Sequence, residues 1–125
     1  MAFRVDDHPG DAEPTTLRYG ALVVEVLGYA VSVAGQDVPV TATEFLLLKA
    51  LARKPYQVQD RTVLAAAVQD EGSGRVPRPM SERAVDLHIS RLRRKLLQAG
   101  YDGIQTMRFI GYRFVPMVAS RQSGS

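Results

Sequence analysis

Between Arg83 and Leu96 the chain reads as a helix with two unlike sides, and no other segment restricts its possible folds so sharply. At roughly 100° per residue, Val85, Ile89, Leu92, Leu96 and Ala99 fall within about 80° of one another, the spacing of a buried helix face. Arg83, Leu87, Ser90, Arg91 and Arg94 point the other way. A helix anchored through valine, isoleucine and leucine has to sit on a core and hold its arginines outward. An outward α-helix of this kind fits a DNA major groove. A solvated basic surface would share the pattern, so the rest of the chain has to decide.

The charge is concentrated rather than spread. Up to Glu82 there are eight Lys/Arg and eleven Asp/Glu, a net of −3, whereas from Arg83 onward eight basic residues face only Asp86 and Asp102, a net of +6. A local positive field collects polyanions by releasing their counterions, which a chain made basic for solubility alone would not need. At 125 residues and 46% hydrophobic content the chain is long enough for one domain with a real core. It has no cysteine, no apolar run long enough to span a membrane and no secretory h-region after Met1, so a cytoplasmic location is expected.

Enzyme chemistry finds little support. Only His8 and His88 are present, too few for a metal cluster, and no cofactor is expected. Asp86 and His88 point about 200° apart on a helix and cannot act as a relay. Asp86 reads instead as a local partner of Arg83 and Ser90 on its own helix. Gly72-Ser73-Gly74 lacks the lysine of a phosphate loop.

Residues 1–16 hold Asp6, Asp7, Asp11 and Glu13 among Pro9, Gly10 and Pro14 and read as a flexible acidic tail; residues 117–125 read as a second tail. Short β-rich runs follow the first tail, Leu17 to Tyr19, Leu22 to Val26, Tyr29 to Val33 and Val38 to Val40, separated by glycine-containing turns, which predicts an antiparallel meander. Thr41-Ala42-Thr43-Glu44 is a capping box before a helix from Phe45 to Arg53. Asp60 can cap a second helix through Val68 that buries Val63, Leu64, Ala67 and Val68. Asp70 to Met80, with two glycines and two prolines, reads as an exposed loop. Ser81 caps the basic helix, which stops at Gly100. Ile104 to Phe109 and Tyr112 to Val115 form a hairpin with Gly111 at its turn. The sum is an α+β winged helix-turn-helix: an N-terminal antiparallel β-sheet, a three-helix bundle and a C-terminal β-hairpin wing.

Three blocks, Thr41 to Leu48, Arg83 to Leu96 and Ile104 to Phe114, occur in the order found in one family. Together they resemble the OmpR/PhoB-type winged-helix DNA-binding domain of bacterial response regulators, over roughly residues 17–116. That resemblance implies a sequence-specific double-stranded DNA-binding transcriptional regulator of a two-component system, not an enzyme, with the third helix in the major groove and the wing in the adjacent minor groove. It implies groove and phosphate positions at Arg83, Ala84, Leu87, His88, Ser90, Arg91 and Arg93; Arg94 and Lys95, on the same basic helix, are expected to contact DNA with them. On the wing it implies Arg108 in the minor groove, with Thr106 and Tyr112 near the backbone. It also implies that Glu71, Arg75 and Arg78 face RNA polymerase, and that the free monomer pairs on tandem half-sites spaced by roughly 10 to 11 base pairs. Phe109 stands where many such domains have glycine. Sixteen residues precede Leu17, too few for the receiver domain most such proteins carry, so the domain is expected to stand without one, either freestanding or as a piece of a longer regulator. The rival readings are a winged-helix module that binds an acidic protein partner, and a single-strand binder, which the scattered aromatics disfavour.

Overall fold

A computed structural model describes residues 15–72 and 80–117 of the chain. Four strands come first: β1 Thr16–Tyr19, β2 Leu22–Glu25, β3 Ala30–Val33 and β4 Gln36–Asp37. Helix α1 Ala42–Ala52, strand β5 Gln59–Asp60, helix α2 Arg61–Gly72, helix α3 Glu82–Gln98 and strands β6 Ile104–Met107 and β7 Gly111–Phe114 follow. The strands form two antiparallel sheets, a meander β1-β2-β3-β4 and a small sheet ordered β5-β7-β6. None of the described helices is long and apolar enough to cross a membrane.

Alternation sets the meander. Leu17 pairs with Val24, Val24 with Val31 and Leu22 with Val33, so the buried side chains of three strands share one face. Between Val33 and Gln36 both Ala34 (φ 52) and Gly35 (φ 82) are left-handed, the two-residue turn whose twist suits a hairpin. That turn fixes the fourth strand at Gln36–Asp37, paired with Val33 and Ser32, and not at the apolar Val38 to Val40. Val38 gives one last hydrogen bond to Val31 O, 2.8 Å away. Pro39 has no N–H with which to continue the ladder, and Val38 is buried as a core contact outside any strand.

The capping box forms in full: Glu44 N donates to Thr41 Oγ1 (3.1 Å) and Thr41 N to Glu44 Oε1 (3.0 Å). With Thr41 as cap, α1 begins at Ala42, three residues before the expected Phe45, and Arg53 is its C-cap. Phe45, Leu46, Leu47, Leu48, Leu51 and Ala52 are all buried, because α1 runs through the middle of the molecule and packs on both α2 and α3. Asp60 caps α2 as expected, its Oδ1 accepting from Val63 N at 2.8 Å. The buried set on α2 is Leu64, Ala65 and Val68; Val63 is exposed, since the face turned to α1 is phased one residue later. The helix also runs three residues into the stretch read as a loop, and residues 73–79 of that loop lie outside the described residues.

Ser81 caps α3 by accepting from Ala84 N (3.1 Å). Its buried stripe is Val85, Ile89, Leu92 and Leu96, while Ala99 is exposed at the C-cap. The helix ends in a Schellman motif: Gly100 is left-handed (φ 97), and Tyr101 N bonds back to Leu96 O at 2.8 Å and Gly100 N to Leu97 O at 3.0 Å. Tyr101, fully buried, then ties this end to the meander, donating to Tyr19 O (3.0 Å) and accepting from Met117 N (2.9 Å). Met117 and Thr15, both placed in the tails from sequence, thus make ordered contacts, Thr15 O accepting from Val26 N at 2.8 Å; residues 1–14 and 118–125 lie outside the described residues.

The wing turns earlier than expected. Met107 pairs with Gly111 and Ile110 N bonds to Met107 O (2.8 Å), so the turn is Arg108-Phe109-Ile110, with Phe109 left-handed at φ 67. Gly111 is not the turn residue. It lies inside β7, the central strand, between Met107 on one side and Asp60 on the other, where a Cβ would lie 2.1 Å from Gln59 O.

Candidate nucleic-acid interface

Because the α3 stripe is sealed against α1 and α2, the outward face of that helix is fixed by the core. Arg83, Leu87, Ser90, Arg91 and Arg94 are all exposed along it, as their spacing on the helix requires. Ala84 and His88 sit half-buried on one flank, and His88 Nδ1 has no hydrogen-bond partner among the described residues. Arg93 lies on the other flank and donates through Nη2 to Thr106 Oγ1, joining the helix to β6. Arg108, at the wing turn, is exposed and lies 5.5 Å from the centroid of the Phe109 ring. Arg113 is braced along the wing by Gln105, 2.8 Å away. Five arginines, at 83, 91, 93, 94 and 108, are thereby carried on two joined elements.

Two residues expected at a DNA surface are engaged elsewhere. Tyr112 is only 6% exposed, and its hydroxyl donates to Asp86 Oδ1 at 2.7 Å. Lys95 lies on the far flank of α3 from Arg93, where its Nζ is 2.6 Å from Glu44 Oε1, and Glu44 is 1% exposed. Burial works to raise the Glu44 carboxyl, but the Lys95 bond, the Thr41 amide and nearby positive charge outweigh it and hold the group below its ordinary range. Lys95 is therefore the counter-charge of a buried carboxylate.

Asp86 was expected to pair along its own helix; it reaches across instead. Arg61 Nε, from the first turn of α2, donates to Asp86 Oδ1 at 2.6 Å, and the Arg61 guanidinium lies 5.7 Å from the Tyr112 ring centroid. Burial pushes the Tyr112 phenol up, and the bond to Asp86 adds to it. For Asp86, burial acts upward, yet the bonds from Tyr112 and Arg61 dominate and lower it. One carboxylate thus joins α2, α3 and the wing and sets the angle between the two arginine-bearing elements. Sequence reasoning missed Arg61 altogether, since its partner lies 25 residues away. The Asp86 side chain is 43% exposed, so solvent weakens the pair. Asp86→Asn is expected to lower stability by about 1 kcal/mol at neutral pH, measured by urea unfolding. Because the folded carboxyl is depressed, its contribution is present above the ordinary value of 3.8 and disappears as pH falls through the folded value.

Of the loop residues expected to face polymerase, Glu71 lies near the end of α2, and Arg75 and Arg78 fall outside the described residues.

The family described as "Transcriptional regulatory protein, C terminal" matches residues 35–114. Transcriptional regulatory protein CseB of Streptomyces avermitilis is 37% identical over 97 residues, covering 78% of this chain and 38% of that protein, so the chain spans well under half of that relative. Among solved structures, the Klebsiella pneumoniae RstA DNA-binding domain in complex with the RstA box is similar at a TM-score of 0.65 and 32% identity, over 83% of this chain and 100% of that one. The DNA-binding domain of CpxR from E. coli is similar at 0.64 and 37% identity, over 82% and 97%.

Proposed function

The chain belongs to the family of C-terminal domains of transcriptional regulatory proteins, and from that premise we propose that it binds double-stranded DNA in a sequence-specific way and regulates transcription by binding, without catalysis. Helix α3 enters a major groove with Arg83, Ala84, Leu87, His88, Ser90, Arg91, Arg93 and Arg94, while Thr106 and Arg108 of the wing reach the neighbouring minor groove. The observation that carries this reading is the Arg93–Thr106 bond, which makes one continuous cationic surface of the exposed α3 arginines and the wing. Arginine suits both places: its fork matches guanine O6 and N7, and its charge suits a narrow minor groove. The similar RstA domain was solved in complex with the RstA box, which supports the same mode here. Two copies on half-sites about one helical turn apart would present both α3 helices to one face of the duplex. Glu71, Arg75 and Arg78 are placed by the same reading toward RNA polymerase, in the cytoplasm.

Selection of bound duplexes from a random library tests the reading. With five arginines on the surface, log affinity is expected to fall with log salt at a slope of about −4 per protomer. Arg91→Ala should reduce affinity by about 1 to 3 kcal/mol and relax preference at one base position. No selected sequence, or a slope near −1, would leave an acidic protein as the partner of α3.

A further inference from the structure

Among the described residues, the most exposed large apolar side chain is at the wing tip: Phe109 is 89% exposed, and Ile110 beside it is 54% exposed. Phe109 is also left-handed, at φ 67, a region that bulky side chains avoid and glycine enters freely. Stability explains neither property. A ring this exposed contributes almost nothing to the core, and a glycine or asparagine would make the same three-residue turn without strain. Backbone strain held beside an unburied ring points to something outside the fold that the ring meets.

The neighbours of the ring identify that partner. The Arg108 guanidinium lies 5.5 Å from its centroid, and the turn closes a narrow two-stranded ribbon that Arg93 and Thr106 tie to α3. A cation and an apolar ring side by side on a thin projection match the two features of a minor groove, phosphates along its walls and stacked base pairs at its floor. Proteins that enter that groove push phenylalanine or isoleucine between base pairs, unstacking them and bending the duplex. Resting on the DNA reading above, we propose that Phe109 is an apolar wedge that enters the minor groove beside Arg108 and opens a base step there. The wing then reads deformability as well as width. Arginine alone favours stiff, narrow A-tracts, whereas a wedge favours TA and CA steps, which open readily.

The test uses the full chain and a single half-site duplex selected from the random library, with its flank rebuilt to contain either a TA step or a run of adenines. Affinity is read by fluorescence anisotropy and bending by energy transfer between labelled duplex ends. Phe109→Gly relieves the left-handed strain, so its melting temperature should not fall. It should bind the TA flank about tenfold more weakly and lose the bend, with little change on the adenine run. The chain has no tryptophan, so Phe109→Trp supplies a single indole whose emission is excited apart from that of the tyrosines, expected to be quenched by the duplex and shielded from acrylamide. Wild-type affinity and bending in Phe109→Gly, with the indole still open to acrylamide, would overturn the wedge. A loss seen only on two half-sites would overturn it too, placing the ring on a neighbouring copy. If Arg91→Ala weakens binding while the Phe109 variants are inert, the wedge alone fails; if the wild-type chain selects no duplex, both readings fail.

Discussion

Gly111→Val is expected to unfold the domain rather than merely blunt the wing. A Cβ at position 111 would lie 2.1 Å from Gln59 O, 2.7 Å from Asp60 Cα and 2.9 Å from Gln59 C. All three are backbone atoms, which cannot rotate aside as a flexible side chain could. Nor can β5 simply retreat. Gln59 is buried and donates through Nε2 to Ala50 O of α1 at 2.9 Å, and Asp60 caps α2. Moving β5 by the necessary ångström or more would break the cap and the Gln59 bond along with the β5–β7 pairing. Overpacking together with lost hydrogen bonds to a buried element amounts to at least about 3 kcal/mol. The clash begins at Cβ, so Gly111→Ala should be nearly as damaging as valine. Urea midpoints measure the effect, and DNA affinity should fall only in proportion to the unfolded fraction. A variant that keeps the wild-type midpoint yet loses DNA binding would show that the hairpin is separable from the core.

The misreading of Gly111 shows where local pattern stops being informative. A glycine between two short β-runs reads as a turn, and only the arrival of β5 beside β7, from some fifty residues earlier, shows that the glycine is needed for close approach. Features generated within a few residues were legible: the α3 stripe, the Thr41–Glu44 box, the Ser81 and Asp60 caps and the stop at Gly100. The meander was legible for three strands, because alternation and glycine turns are local too. Its fourth strand was not, since Val38 to Val40 are apolar through burial while the ladder is set by the Ala34–Gly35 turn. The outward arginines of α3 followed from periodicity alone. Its flanking charges did not, because Asp86 and Lys95 find partners 25 and 51 residues away, on α2 and α1. A signal for Lys95 existed nonetheless: on the helical wheel it stands about a quarter turn from the outward arginines, on the opposite flank from Arg93.

Lys95→Met should therefore act on folding before it acts on DNA. In the native protein Glu44 is sealed from water while its Oε1 accepts from Lys95 Nζ at 2.6 Å and from the Thr41 amide at 3.0 Å. Methionine keeps most of the stem's volume and removes the charge, leaving a buried carboxylate without its ion partner, a loss of about 3 kcal/mol at neutral pH. The pH dependence separates this from simple loss of packing. With Lys95 present the folded Glu44 carboxyl lies below its ordinary value of 4.5, so its contribution is complete above that value and is lost as pH falls through the folded one. Without Lys95 the largest of the lowering influences is gone while burial and the Thr41 amide remain, so the folded carboxyl rises from its native value. The variant then has less to lose than wild type as Glu44 protonates, and the gap from wild type narrows on acidification. Adding Glu44→Gln to Lys95→Met removes the unpaired charge and should recover part of the loss, a coupling that a double-mutant cycle in urea measures directly. The salt slope of DNA binding should be unchanged once unfolded protein is accounted for. An undiminished urea midpoint for Lys95→Met, joined to a slope shallower by about one, would instead return Lys95 to the phosphate-binding set.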